Sequence, residues 1–313
     1  MTRSGTNMKP ADTIARVKPS ANPSPASRWR YWKLSLGIVA VALLAIVTWW
    51  VSASLNGDDG QAAPIATLDT PDFHSLLVDP ANSDRILFGS HAGIQESLDG
   101  GFTWSDGTLR GTDAMQLAAS REEPATLYAT GHDVFQVSRD GGQTWQPQAH
   151  DLPGTDIHGF AQDPGDPQRL YVSVVNYGMF TSGDGGATWQ SLPVEPPGSG
   201  VLAAGPGVLY SGVGPDVVAS RDSGATWNVV ATLASGQVIS LAVSSGEPQT
   251  MYAGTPNGIA RSMDAGATWT ALGPDGIPVL AVAVSPADSG QVLIVSNEGA
   301  VYRTDDGGET WRS

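Results

Sequence analysis

The 313-residue chain contains no cysteine. That excludes a disulfide framework, a thiolate metal centre, a cysteine nucleophile and a lipid-modified cysteine anchor. Lysine is also absent after Lys33, and nine arginines there face 30 acidic residues, so residues 34–313 carry a formal charge of −21. A surface this acidic repels the nucleic-acid backbone and anionic lipid headgroups, and neither is expected as a partner. No Asn-x-Ser/Thr acceptor occurs, a weak sign of a bacterial origin for an exported chain. The chain also lacks a serine-hydrolase nucleophile elbow and a phosphate-binding glycine loop opening a helix. Its 38 glycines and 22 prolines instead punctuate short alternating segments, the signature of an all-β domain.

Long apolar runs are scarce as well, with one exception. Residues 1–33 form a polar, Pro- and Ser-containing leader with seven positive charges against the single acid Asp12. The 22 uncharged residues from Leu34 to Leu55 follow, flanked by Trp29, Tyr31 and Trp32 at one end and holding Trp49 and Trp50 near the other. That length spans a bilayer as one helix, and the aromatics match interfacial belts. With every leader charge but one positive, the positive-inside rule puts the N-terminus in the cytoplasm and the rest outside, as a single-pass membrane protein. The alternative is a signal peptide cleaved after Val51-Ser52-Ala53 and a secreted product, although the charged and apolar regions are both long for one. Residues 56–64 read as a linker and 65–313 as the folded domain.

That domain is organised by a pattern, S/T-x-D-x-G-x-T-W, which occurs six times: Ser97 to Trp104, Ser138 to Trp145, Ser182 to Trp189, Ser220 to Trp227, Ser262 to Trp269 and Thr304 to Trp311. The tryptophans are 41, 44, 38, 42 and 42 residues apart. This is the period of a four-stranded propeller blade. Each copy suits the turn between third and fourth strands: the glycine takes positive φ, Asp99, Asp140, Asp184, Asp222, Asp264 and Asp306 accept hydrogen bonds from the turn, and the Trp opens the outer strand. Six copies of one device indicate a structural role for these acids rather than a catalytic one. The expected fold is a six-bladed β-propeller with residues near Ile65 to Leu68 pairing with the last blade to close the ring.

The repeated motif is the Asp-box, or BNR repeat, and residues 66–313 resemble the Asp-box propeller family. That family includes sialidases, xyloglucanases, sortilin-type receptor ectodomains and photosystem II assembly factors. The chain looks most like membrane-anchored bacterial Asp-box proteins labelled glycosyl hydrolases. The resemblance implies the fold; its members do unrelated jobs. A sialidase-like site implies an arginine trio. Here Arg139 and Arg221 lie inside Asp-boxes, Arg261, Arg303 and Arg312 adjoin or follow them, and Arg85 and Arg169 begin second strands on the wrong face. Only Arg110 and Arg121 are left, so sialidase activity is not expected.

Loops entering the inner strands and loops joining strands two and three share the face around the central channel. Aligning the repeats there puts His74, Met115 and His158 at one position in blades one to three, with Asp72, Asp113 and Asp156 two residues earlier. Blades four to six carry Gly200, Ile239 and Leu280 at the first position. A requirement of the blade itself would appear in all six copies. His91 and His132 fall between strands two and three, and His150 in the connection from blade two to blade three, so all five histidines map to this face. These eight residues, Asp72, His74, His91, Asp113, Met115, His132, Asp156 and His158, are the candidate ligand-binding set. A protein, glycan or cation ligand fits, as does an ordinary set of polar loops. His74, His158, Asp72 and Asp156 are candidate ligands for a divalent metal. If the domain is a glycoside hydrolase instead, Asp72, Asp113 and Asp156 are its candidate catalytic carboxylates. A binding or assembly module, rather than an enzyme, is the favoured expectation.

Overall fold

The computed structural model describes residues 62–70, 72–120, 122–193, 200–244, 246 and 249–312. The leader and the spanning helix expected at Leu34–Leu55 lie outside the described residues. Among those described, no helix is long and apolar enough to cross a membrane.

The described chain forms six antiparallel four-stranded sheets. Blade one, for example, runs Ser75–Val78, Ile86–Ser90, Gly93–Ser97 and Ser105–Asp106. Five blades are made of consecutive strands. The sixth combines Val279–Val284, Val292–Ser296 and Ala300–Thr304 with Ala66–Thr67, which registers Ala66 on Val301 and Thr67 on Ala300. The Ile65 amide donates to the Val301 carbonyl at 2.8 Å and the Leu68 amide to the Gly299 carbonyl at 2.9 Å, so the ring closes where expected.

Burial explains the strand sequences. Second strands such as Ile86–Ser90, Leu127–Gly131 and Met251–Thr255 are buried at every position, because both of their faces meet neighbouring blades. Outer strands such as Ser105–Asp106 are exposed. Tyr128, Tyr210 and Tyr252 are fully buried at matching places in second strands. A buried hydroxyl needs a partner, and each finds one on the next blade: Tyr128 Oη donates to the Gly185 carbonyl at 3.4 Å, Tyr210 to Gln249 Oε1 at 3.0 Å and Tyr252 to the Ser289 carbonyl at 2.8 Å. Two arginines do the same. Arg261 donates to the Gly307 carbonyl at 2.8 Å and Arg303, from the last blade, to the Gly100 carbonyl of the first at 3.0 Å. Gly100, Gly185 and Gly307 are the fourth residues of their Asp-boxes, so the turn of one blade is gripped by the side of the blade before it.

Within a box the network is closed. In blade three the Ser182 hydroxyl donates to Asp184 Oδ1 at 2.8 Å and accepts from the Gly186 amide at 2.9 Å. Asp184 also accepts from the Thr188 amide at 2.9 Å and the Thr188 hydroxyl at 2.6 Å. Gly186 sits at φ 91°, and its five equivalents are likewise at positive φ. The Trp189 indole N–H returns to the Gly186 carbonyl at 2.9 Å.

Candidate functional site

Two local devices position the site. In blades one and two, a tight turn joins strands two and three, and the aspartate ahead of the inner strand clamps it. The Asp72 carboxylate accepts the His91 amide at 2.9 Å and the His91 ring Nδ1–H, also at 2.9 Å. Asp113 repeats the arrangement on His132, with its Oδ2 at 3.0 Å from the amide and 2.5 Å from Nδ1. A carboxylate only accepts, so in both rings Nδ1 carries the proton and the neutral imidazole keeps its lone pair on Nε2. Blade three has no histidine in this turn. Its His158 instead occupies a bulge, because the ladder skips from Ile157 to Gly159. A bulge re-aims its side chain, and here the ring reaches back toward blade two.

The result is a continuous arc across three blades, in the order His74, Asp72, His91, Asp113, His132, Asp156, His158. His74 Nε2 lies 3.5 Å from Asp72 Oδ1 and 3.5 Å from His91 Nδ1. His91 Nε2 lies 3.7 Å from Asp113 Oδ2. His132 Nε2 is 3.2 Å from His158 Nε2 and 3.8 Å from Asp156 Oδ1, which is 3.0 Å from His158 Nε2. Despite that distance, Asp156 Oδ1 receives no aligned hydrogen bond, and Asp113 Oδ1 is also buried without a donor among the described residues. Burial, and then the neighbouring His91, push the His74 imidazole below its usual range, with Asp72 acting in the opposite direction.

The arc borders the central channel rather than filling it. His74 lines the channel's upper cavity of about 120 Å³ together with Gln116, Gly200 and Ile239. That puts the half-ring asymmetry seen in the repeats around a real opening: imidazole on one side, glycine and aliphatic side chains on the other. Met115 departs from the expected set. Its thioether is buried, with 9% exposure, as an unbranched apolar side chain at a packed position would be, and it joins none of the acid–imidazole groups. His150 is also separate: its ring packs 5.6 Å from that of Phe135, its Nδ1 accepts the Leu152 amide at 3.2 Å, and burial lowers its pKa. The four expected metal ligands do not meet as one group. Asp72 and His74 gather with His91, whereas Asp156 and His158 gather with His132. Tyr177, which the repeat alignment gave no reason to single out, is 55% exposed in the turn of blade three beside Asp156, whose carbonyl accepts the Val175 amide.

The comparisons with known proteins agree with this architecture. The BNR/Asp-box repeat family matches residues 136–147, and the family described as Photosynthesis system II assembly factor YCF48 matches residues 207–313. A xyloglucanase from Paenibacillus sp is 30% identical over 203 residues, or 55% of this chain, and the chain spans 17% of that protein's length. Among solved structures, the GH74 xyloglucanase from Xanthomonas campestris superposes with a TM-score of 0.56 at 19% identity, over 80% of this chain and 46% of that one. The GH74 enzyme from Niastella koreensis gives 0.57 at 18% identity, again over 80% and 46%. At such identities the likeness is one of fold. With the six turns, the ring closure and the repeat match together, the chain is a six-bladed β-propeller built from BNR/Asp-box repeats.

Proposed function

We propose that the propeller is a binding or assembly module whose ligand docks on the channel face, over the arc of blades one to three. The observation that carries this reading is the confinement of seven clustered acid and imidazole side chains to half of one rim. A glycoside hydrolase is the second reading, favoured by the 30% identity to a xyloglucanase. Geometry argues against it. Glycosidic cleavage needs two carboxylates roughly 5–9.5 Å apart with the bond between them. Here His91 stands between Asp72 and Asp113, and His132 between Asp113 and Asp156, so an imidazole fills each gap. The match of the last 107 residues to an assembly-factor family supports an assembly role.

A photo-crosslinking residue at Ala92, beside His91, is expected to trap a partner in native membranes, whereas one at Gln143, in an Asp-box, is expected to trap none. Xyloglucan turnover that vanishes in Asp156→Asn would replace this reading with the hydrolase.

The proposal includes location: an anchor at Leu34–Leu55 with the propeller outside the cytoplasm, supported by the charge asymmetry around that segment. Protease added to intact spheroplasts should then digest or release the propeller. Survival of the domain until lysis would sink the assignment.

A further inference from the structure

We propose that His132 Nε2, His158 Nε2 and Asp156 Oδ1 bind a divalent transition-metal ion, Zn²⁺ being the best fit, and that Asp113 orients His132 for it. This deepens the docking reading, since the metal sits on the same rim. Three groups of donors in the arc lie close enough to share an ion: Asp72 with His74 and His91, His91 with Asp113 and His132, and His132 with Asp156 and His158. Only in the last do the three donor atoms face one another with no other partner, His158 Nε2 lying 3.2 Å from His132 Nε2 and 3.0 Å from Asp156 Oδ1, so an ion there replaces the one proton that His158 Nε2 holds in that contact. In the first, His91 turns Nδ1 toward Asp72 and His74 and gives its proton to Asp72, so the atom that faces the group has no lone pair to offer. In the second, His132 Nδ1 is bonded to Asp113 at 2.5 Å, and Asp113 Oδ2 already accepts both that ring and the His132 amide.

The third group is different on each count. The bond from His132 Nδ1 to Asp113 fixes the tautomer that leaves Nε2 unprotonated and pointed at His158 and Asp156. A carboxylate behind a ligating imidazole is the usual means of orienting it and raising its basicity. The three donor atoms are separated by 3.0, 3.2 and 3.8 Å. Bonds of about 2.0–2.2 Å at tetrahedral angles place donors about 3.3–3.5 Å apart, so the triangle has the size of one tetrahedral face. Asp156 Oδ1 is buried with no aligned donor, although its carboxylate has the capacity to accept one. Two imidazoles and a single carboxylate favour zinc or a similar late first-row ion over calcium or magnesium, which take oxygen donors. Three protein donors leave a fourth position for water or for a donor atom of the docked molecule.

The test uses the full-length chain in detergent, stripped with chelator, loaded with Zn²⁺ and dialysed, with the metal counted by elemental analysis and affinity measured against a chromophoric chelator. One zinc per chain is expected. Stoichiometric loading should vanish in His158→Ala, His132→Ala and Asp156→Asn and persist in His74→Ala and Asp72→Asn. Asp113→Asn should weaken binding by roughly 10–100-fold while leaving the visible bands of tetrahedral Co²⁺ intact at saturating metal. Melting curves of each variant show whether the fold survives. Failure to load one zinc, loading that survives His158→Ala, or equal loss in His74→Ala would overturn the proposal. Because partner trapping at Ala92 is read separately in zinc-free membranes, a rim that traps a partner but loads no zinc removes the metal site and leaves the docking reading standing.

Discussion

Alanine in place of Phe135 is expected to lower the stability of the propeller by about 3–5 kcal/mol, as large-to-small changes at buried aromatic positions do. Phe135 is 4% exposed in the third strand of blade two, and four rings surround it. Tyr128, Phe160 and Trp189 lie 6.2, 6.1 and 6.0 Å away between centroids, and His150 lies at 5.6 Å. Tyr128 belongs to the same blade, whereas Phe160 and Trp189 belong to blade three, so the cavity would open across a blade interface. Backbone ladders hold both sides of that interface in place, which limits collapse into the void. For a domain of this size each kcal/mol shifts the melting temperature by roughly 2–4 °C, so a fall of about 6–20 °C is expected in a thermal scan. A drop of a degree or less would mean that the blades re-pack freely and that the interface is softer than its contacts imply.

Acid should unfold the domain steeply, over a window set by the Asp-boxes. In Asp184 the Thr188 hydroxyl, then the Thr188 amide and the Ser182 hydroxyl, hold the carboxyl at about 2 rather than 3.8. Asp140, Asp222 and Asp264 are lowered to about 2 by the same three bonds, and Asp306 is lowered in the same way. At Asp99 desolvation opposes the shift, but bonds from Thr103 and Ser97 prevail. A carboxyl whose pKa is depressed by folding contributes stability above its unfolded value and loses it as pH falls through the folded value. The melting temperature should therefore be nearly flat down to about pH 4 and fall steeply from there to about pH 2. Six equivalent groups titrating together make the drop cooperative. A melting temperature unchanged between pH 4 and pH 2, at constant ionic strength, would show that these bonds do not distinguish folded from unfolded chain.

The repeat made the fold legible because each Asp-box is a local object: its serine, aspartate, glycine and threonine bond to one another within a few residues, so sequence spacing is also spatial spacing. The closing strand follows the same count, since five blades draw their outer strand from the chain just after their Asp-box and the sixth takes Ala66–Thr67 instead. The site was legible only to the level of which face. His74, His91, His132 and His158 do lie together, but their pairing depends on how closely blades approach, and no single repeat encodes that distance. Part of it is set by Gly89, where a Cβ would stand 2.2 Å from the Ala114 carbonyl oxygen, in the segment that follows Asp113. His158 needed a bulge to be aimed, and His150 needed Phe135 to draw it away. Met115 aligned with the two histidines by position and parted from them by polarity.

The ring closure bears on the order of assembly. Ala66 and Val301 meet across about 235 residues of chain, whereas most other strand pairs join near neighbours. As the protein emerges during synthesis, blades one to five can each complete their ladders from contiguous chain, yet Ala66–Thr67 has no strand to pair with until Ala300–Thr304 has been made. For most of translation the incipient ring is thus an open crescent whose first blade lacks a neighbour on one side, and the bond from Arg303 to Gly100 forms only at the end. Shielding that temporary edge is a task for the moments before the finished circle hides it.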